Sequence, residues 1–334
     1  MPGEFELIAR HFTRPAGATA PTSRAGGIEL GVGDDCALLR VAPGMQLAVS
    51  TDMLVEGRHF LSTVAPERLG HKVLAVNLSD LAACGAEPLA FTLAVALPRA
   101  DDGFLAPFAQ GLLALADAHG IELVGGDTTA GPLNICITVF GQVPPGQALL
   151  RSGARAGDGL WVSGQLGDAR LALEVFRGQQ ALHAMPGDAF EQVRRAMELP
   201  QPRVALGLAL RGLASAAIDL SDGLLGDLGH VLQRSGVAAV VDVDALPRSA
   251  VLAAQDPALQ HLCLLAGGDD YELLFSAPAH RHDAVLAAGR AAGVAVTRIG
   301  TVWAAEAGAP PLRVVDGQGR PVATPWRGFD HFAA

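Results

Sequence analysis

A chain of 334 residues is long for one hydrophobic core, so its length predicts two domains of ordinary size. Half of the residues are apolar and only 17% are charged, a balance that predicts a packed globular protein and argues against wholesale disorder. The formal net charge of −10, with no cluster of lysine or arginine, argues against a nucleic-acid partner.

Lysine occurs once, at Lys72, and its context excludes two common nucleotide sites. A P-loop needs a lysine followed by serine or threonine, whereas Lys72 stands in Gly-His-Lys-Val. A protein-kinase signature needs a strand lysine within its own motif. Neither class of nucleotide site is therefore expected.

The cysteines are far apart and form no C-x-x-C pair, so neither a zinc knuckle nor a redox motif is expected. They are Cys36, Cys84, Cys136 and Cys263. Glu4 and Glu6 precede any apolar run, unlike a signal peptide, and no apolar run is long enough to span a bilayer. We expect a cytoplasmic protein without a membrane partner.

Hydrophobic spacing predicts the elements of the first half. In chain order they are helix Glu4–Phe12, strand Gln46–Ser50, helix Pro66–Cys84, strand Ala90–Leu97, helix Gly103–His119, strand Glu122–Val124 and strand Asn134–Val143. Pro144-Pro145-Gly146 is the strongest boundary signal in the chain. It predicts an N-terminal domain over 1–145 and a C-terminal domain over 146–334.

The second half predicts a comparable mixture of strands and helices, so the fold class is α/β. The predicted strands are Gly159–Ser163, Ala216–Leu220, Ala238–Val243, Tyr271–Ser276, Val294–Val302 and Leu312–Val315. The predicted helices are Asp168–Arg177, Ala189–Met197, Arg203–Leu213, Leu225–Ser235 and His280–Ala292.

Acidic residues follow or flank the apolar runs with unusual regularity. They are Asp35, Asp52, Asp80, Asp127, Asp219 and Asp222, often beside serine, threonine or paired glycines. Each motif alone is typical of a turn or helix cap, but six together argue against that explanation. Oxygen ligands without a Cys/His cluster favour Mg²⁺, and Mg²⁺ with glycine-rich turns is typical of phosphoryl transfer.

Three further residues are ambiguous on pattern alone. His59 has equal chances of contacting a substrate and of a structural role. Arg151 could clamp a phosphate with its guanidinium, but an ordinary surface arginine fits the pattern better. Phe329 lies in an aromatic tail and is more typical of a docking side chain than of a stacking platform.

The motifs, in this order, resemble the thiamine-monophosphate kinase family, within a superfamily of ATP-dependent enzymes that includes aminoimidazole-ribonucleotide synthetase. The most specific motifs are G-V-G-D-D-C-A-L-L, S-T-D-M-L-V-E-G-R-H-F, A-V-N-L-S-D-L-A-A-C-G-A, G-G-D-T-T-A-G-P, I-D-L-S-D-G-L, G-G-D-D-Y-E-L and the tail W-R-G-F-D-H-F. The resemblance covers nearly the whole chain. It implies transfer of a phosphoryl group from ATP to thiamine phosphate with several Mg²⁺ ions.

The resemblance also implies roles for individual residues. Metal ligands would be Asp35, Ser50, Thr51, Asp52, Asp80, Asp127, Asp219 and Asp222. ATP would be held by Gly126, Asp127, Arg151 and Ser221, and thiamine phosphate by His59, Asp269 and Phe329. The family fold implies an N-terminal mixed sheet with helices that pairs across a homodimer. It also implies a C-terminal, sandwich-like α/β domain that covers the site.

Two positions depart from the family pattern. Asp269 stands where glutamate is common, so its reach is shorter by one methylene. Phe329 stands where tyrosine or tryptophan is frequent, so stacking on an aromatic ring of the substrate remains available but a polar group is lost.

No residue of this set is an obvious covalent nucleophile, which favours direct in-line transfer over a phospho-enzyme. Two alternative functions remain open: another ATP-dependent synthetase of the same superfamily, or a regulator that binds nucleotide and Mg²⁺ without turnover.

Overall fold

The computed structural model describes residues 4–14, 27–178, 185–326 and 328–329. Arg327 and residues 330–332 of the aromatic tail motif therefore lie outside the described residues. The chain forms two compact units. Residues up to Leu81 with Ala86–Ala148 make the N-terminal unit, and Ala82–Gly85 with the chain from Leu149 make the C-terminal unit.

The N-terminal unit contains three helices and six strands in its described part. In chain order these are α1 (Glu4–His11), β1 (Gly27–Leu30), β2 (Leu38–Arg40), β3 (Gln46–Val55), α2 (Pro66–Ala83), β4 (Glu87–Leu97), α3 (Asp102–His119), β5 (Glu122–Ala130) and β6 (Asn134–Val143). β1 and β2 form a separate antiparallel ribbon.

The other four strands of this unit form one mixed sheet in the order β3-β6-β4-β5. β6 is antiparallel to both β3 and β4, and β5 runs parallel to β4. Helices α2 and α3 cross closely because glycines stand at their contact. A Cβ on Gly70 would lie 2.0 Å from the Phe108 carbonyl oxygen, and one on Gly111 would lie 1.9 Å from that of Glu67.

The C-terminal unit alternates strands and helices. They are β7 (Gly159–Ser163), α4 (Asp168–Phe176), α5 (Gly187–Glu198), α6 (Val204–Ala209), β8 (Ala216–Asp219), α7 (Leu224–Ser235), β9 (Val237–Asp242), α8 (Ala250–Ala253), α9 (Pro257–Ala266), β10 (Leu273–Ala277), α10 (His282–Ala291), β11 (Val296–Ala304) and β12 (Leu312–Val315). Two 3₁₀ turns span Val243–Ala245 and Ala279–Arg281.

The strands of this unit form a six-stranded sheet in the order β12-β9-β11-β7-β10-β8. Every residue of β7, β8 and β10 is buried, as expected for strands covered on both faces. The core of the unit includes Leu160, Leu220, Leu228 and Leu274, none more than 2% exposed. β8 is an edge strand of this sheet, and its last residue, Asp219, is nevertheless buried.

Most predicted elements are present, but two predicted strands end several residues too early, and the helix predicted over Arg203–Leu213 ends at Ala209. β3 continues through Ser50-Thr51-Asp52 to Val55, and β5 continues through the glycine pair to Ala130, so both motifs lie inside strands. Their backbones stay extended because each remains paired with its neighbour, β3 with β6 and β5 with β4. Helix α9 was not predicted, although Asp256 caps it and Pro257 begins it.

No helix in the described part of the chain is long and apolar enough to cross a membrane.

Candidate active site

Two polar side chains of helix α2 bind two alternate residues of strand β3. The Ser50 hydroxyl donates to Asp80 Oδ2 at 2.5 Å, and the backbone N–H of Asp52 donates to Asn77 Oδ1 at 3.1 Å. Asn77 also donates from Nδ2 to the Val73 carbonyl at 2.9 Å. Asn77 and Asp80, three apart on one face of α2, therefore pair with Asp52 and Ser50, two apart on one face of β3.

Thr51 lies on the opposite face of β3 from its two neighbours in the motif, because successive strand residues alternate. Its hydroxyl is 2.9 Å from that of Thr138 on β6. The side chain of Thr51 is exposed, while Ser50 and Asp52 are half-buried.

Gly126 and Asp127 lie in the middle of β5, where the glycine is a steric requirement. Gly126 has φ of 152°, and a Cβ there would lie 1.8 Å from the Leu93 carbonyl oxygen. The neighbouring Asp127 is exposed. A cavity of about 640 Å³ joins Gly126 and Asp127 to Asp35, and is also lined by Ile8 of α1 and by Phe12, which follows that helix.

The sheet register separates two of the predicted metal ligands. Asp52 pairs with Ile137, which pairs with Leu93, and these positions share the face on which α2 binds. Asp127 pairs with Ala94, one position further along β4, which on a regular pleat corresponds to the other face.

His59 follows β3 in a tight turn. Its Nδ1 accepts the backbone N–H of Val55 at 3.0 Å, so this ring nitrogen carries no proton in that bond. The residue is half-buried, and the Nδ1 bond fixes the orientation of the ring.

In the C-terminal unit, three distant segments meet at the end of β8. Asp219 is the last residue of β8 and is 4% exposed. The Ser221 carbonyl accepts the N–H of Asp269 at 2.8 Å, and the Asp222 carbonyl accepts the N–H of Phe329 at 3.0 Å. Backbone hydrogen bonds thus bring Ser221, Asp222, Asp269 and Phe329 together.

The tail residue Phe329 reaches this place because two glycines allow close approach. The Cβ that a side chain on Gly328 would add lies 2.9 Å from the Gly226 Cα, in the first turn of α7. The side chain of Phe329 remains 49% exposed.

Asp227 is a buried carboxylate at this site that the sequence analysis did not identify. Its Oδ2 accepts the N–H groups of Asp222 and Gly223, each at 3.1 Å, and so holds the turn that leads into α7. Burial, followed by the like charge of Asp222, raises the pKa of Asp227 to about 7, and the two N–H bonds and the Arg151 guanidinium partly offset that rise. An acid in the first turn of a predicted helix was the available signal, because acids are favoured at helix N-termini.

Arg151 is exposed, and its charge acts on the pKa of Asp227, which brings it into electrostatic range of the Ser221-Asp222 turn. The carbonyl of Arg151 accepts the Ser235 hydroxyl at 3.3 Å.

The donor chemistry of both units suits Mg²⁺. The predicted ligands offer only carboxylate and hydroxyl oxygens, and the Ser50–Asp80 pair already places two of these within 2.5 Å. Within the described ranges, no group of three or more His, Cys, Asp or Glu side chains is arranged to hold a metal. A Mg²⁺ ion bound to one or two carboxylates, with the remaining positions filled by phosphate and water, fits these residues.

The chain matches two family models in sequence order. They are AIR synthase related protein, N-terminal domain, over residues 33–143, and AIR synthase related protein, C-terminal domain, over residues 155–310. The fold is therefore that of an AIR synthase-related protein.

Individual relatives identify the family within this broader group more closely. The thiamine-monophosphate kinase of Salmonella typhimurium is 45% identical over 332 residues, covering 99% of this chain and 98% of that relative. The crystal structure of thiamine-monophosphate kinase from Stenotrophomonas maltophilia has 43% identity and a TM-score of 0.81, with 95% of each chain covered. AaThiL, solved with AMPPCP and TMP, has 29% identity and a TM-score of 0.74, covering 87% of this chain and 89% of its own.

The chain belongs to the thiamine-monophosphate kinase family. This confirms the predicted family and the predicted α/β fold class.

Proposed function

We propose that this protein transfers the γ-phosphoryl group of ATP to thiamine phosphate, giving ADP and thiamine diphosphate. The observation that carries the proposal is the full-length match to thiamine-monophosphate kinases, at 45% identity over 99% of the chain. The relative AaThiL was solved with AMPPCP, an ATP analogue, and with TMP. That complex supports ATP and thiamine phosphate as the two substrates.

The nucleotide is assigned to the residues predicted for it. Gly126 and Asp127 line a cavity that combines exposed backbone and a carboxylate with the apolar side chains of Ile8 and Phe12. Such a cavity offers an apolar wall for a base beside a polar end for phosphates. In the C-terminal unit, Arg151 and Ser221 are the residues proposed to bind ATP.

Mg²⁺ is proposed at the carboxylates, where it would neutralise the phosphates during transfer. Its proposed ligands, divided among several ions, are Asp35, Ser50, Thr51, Asp52, Asp80, Asp127, Asp219 and Asp222. Asn77 supports this role by holding the backbone of Asp52, and α2 holds Ser50 through Asp80. Asn77 and Asp80 thus orient Asp52 and Ser50. Neither Asn77 nor Asp80 donates or accepts the phosphoryl group.

Thiamine phosphate is assigned to His59, Asp269 and Phe329. A phosphate oxygen of thiamine phosphate attacks the γ-phosphorus, the bond from that phosphorus to the bridging oxygen breaks, and ADP leaves with the electron pair. No residue of the chain is phosphorylated in this scheme. Labelled ATP without thiamine phosphate should leave the protein unlabelled, and a trapped phospho-protein would replace direct transfer by a covalent route.

We propose a homodimer whose contact includes β3, since Leu47, Val49 and Met53 alternate along that edge strand and are each at least 50% exposed. ATP as a co-substrate supports a cytoplasmic location.

The deciding experiment mixes the purified protein, ATP and Mg²⁺ with and without thiamine phosphate. ADP should appear with thiamine phosphate and match thiamine diphosphate mole for mole on chromatography. ADP release that ignores thiamine phosphate, or no release, would instead favour another superfamily activity or a regulator.

A further inference from the structure

The segment Gly267–Glu272 contains two residues in a conformation that side chains rarely adopt. Asp269 has φ of 64° and Tyr271 has φ of 50°, and no other non-glycine residue in the described ranges has positive φ. Their N–H groups donate to the carbonyls of Ser221 and Leu220, each at 2.8 Å. The strained residues therefore lie directly against the turn that leads out of β8.

Asp270 lies between these two residues and Glu272 follows them. Neither has positive φ, and the carboxylate of each is held by hydrogen bonds. A carboxylate oxygen of Asp270 accepts the N–H of Gly167 at 2.8 Å, just before the first residue of α4. Glu272, 5% exposed, accepts the Ser163 hydroxyl at 2.5 Å and a bidentate contact from Arg203. The segment thus alternates between left-handed residues and anchored acids.

Strained backbone persists only where the surroundings hold it in place. The Glu272 anchor immediately precedes β10 and follows both left-handed residues, whereas the Asp270 anchor lies between them. Asp270 is thus the side chain best placed to determine the direction of Asp269.

We propose that Asp270 is a positioning residue, whose bond to Gly167 holds the left-handed segment so that Asp269 meets thiamine phosphate. This inference rests on the proposed function, in which Asp269 contacts that substrate.

The electrostatic surroundings of Asp270 sharpen the test. Burial, together with the like charges of Glu272, Asp168 and Asp269, raises the pKa of Asp270 well above its usual range, and the Gly167 N–H partly offsets the rise. The bond from the Gly167 N–H requires an acceptor oxygen at the right distance, which a carboxyl or an amide can supply. Asn offers such an oxygen, whereas Glu keeps the charge but displaces it by one methylene.

The test compares Asp270→Asn, Asp270→Glu and Asp270→Ala with wild type. The readouts are kcat, the KM for thiamine phosphate, the KM for ATP and amide hydrogen exchange of residues 268–272. Asp168→Ala is the matched control, because Asp168 is a buried acid in the first turn of α4 that hydrogen-bonds Ser249 and Gln192 and affects Asp270 only through its charge. Asp269→Asn, which removes the charge but favours the same backbone, serves as the reference for lost substrate contact.

We expect Asp270→Ala and Asp270→Glu to raise the KM for thiamine phosphate about tenfold to a hundredfold, with faster exchange in the segment and a KM for ATP within about twofold. Asp270→Asn should stay within about threefold of wild type in every parameter, and Asp168→Ala should match wild type. If Asp270→Ala does not fold, the contrast between Glu and Asn decides.

Two outcomes would overturn the inference. One is wild-type exchange and KM in Asp270→Glu or Asp270→Ala. The other is an equal rise of both KM values in the Asp270 variants and in Asp168→Ala, which would indicate general loosening. An inactive wild type, or an unchanged KM in Asp269→Asn, would instead count against the proposed function, while hydrogen exchange would still report on the anchor.

Discussion

At the scale of single residues, the adjacent glycines of the G-G-D motif have opposite steric demands. A Cβ on Gly126 would lie 1.8 Å from the Leu93 carbonyl oxygen, whereas a Cβ on Gly125 would meet nothing within 4 Å. The same added methyl group should therefore have very different effects one position apart.

We expect Gly126→Ala to destabilise the protein by about 3 kcal/mol or more, because β5 must move away from β4. The same change should weaken ATP binding. Gly125→Ala, the matched control, should keep the melting temperature within about 2 °C of wild type. Thermal unfolding of the two variants measures this, and equal melting temperatures would contradict the steric argument.

Asn77 illustrates how a buried amide can serve two partners at once. It is 0% exposed, accepts the Asp52 N–H and donates to the Val73 carbonyl. Asn77→Ala would leave both groups without that partner, and we expect a loss of about 2–4 kcal/mol in unfolding free energy. The Mg²⁺ concentration for half-maximal activity should also rise, because the hydrogen bond that holds the Asp52 backbone in place would be lost.

Urea unfolding and a Mg²⁺ titration of activity check this expectation. The control is Asn134→Ala on β6, whose amide makes a weak, exposed hydrogen bond to the Met53 sulfur at 3.5 Å. That change should cost less than about 0.5 kcal/mol. Comparable losses in the two variants would refute the special role of Asn77.

At the scale of elements, hydrophobic periodicity predicted the bounds of strands that are determined by neighbouring residues in the sequence. The bounds of β6 and β12 were correct, and in β6 the alternating residues Ile135, Ile137 and Val139 are buried as the pattern predicts. The end of β5 was not predicted, because paired glycines usually mark a turn and here they lie in a strand. What keeps Gly125-Gly126 extended is the parallel pairing with Thr92 and Leu93, a long-range contact that no local window contains.

His119, the last residue of α3, should make the stability of the folded protein depend on pH. Burial, followed by the charge of His71, lowers the pKa of His119 from its ordinary value of 6.5. The unfolded chain therefore binds this proton more readily than the folded one. The contribution of neutral His119 is complete above the unfolded pKa and is lost as pH falls through 6.5 towards the lowered folded value.

Accordingly, His119→Gln should lose less stability than wild type when the pH falls from about 8 to about 5. Urea unfolding at both pH values measures the difference. His280→Gln, at an exposed histidine, should follow the wild-type pH dependence. If His119→Gln and wild type lose equal stability, other groups account for the acid sensitivity.

At the scale of the whole molecule, motif order identified the family, while the contacts among motifs required the structure. Asp222 and Phe329 are bonded through their backbones although they are far apart in the chain. Asp227 and Asp270, which hold the turns beside them, were missed because each looks like an ordinary acid near a helix or loop. Their importance comes from the N–H groups they meet, which belong to the folded chain.

The last prediction concerns assembly. Leu47, Val49 and Met53 are 50%, 55% and 54% exposed on one face of β3, more apolar surface than an isolated edge strand should leave in water. If that face packs against a second copy, Val49→Asp would bury an unpaired charge at a costly position. We expect the dimer dissociation constant to rise about a hundredfold or more.

Sedimentation equilibrium over a range of protein concentrations tests this. Trp303→Asp is the matched control, because Trp303 is a similarly exposed apolar residue, at 53%, on β11 of the C-terminal unit. That variant should assemble like wild type. A monomeric wild type, or a dimer unaffected by Val49→Asp, would mean that the exposed face of β3 is not the contact. The opposite pattern, with Trp303→Asp alone dissociating the dimer, would move the interface to the C-terminal unit.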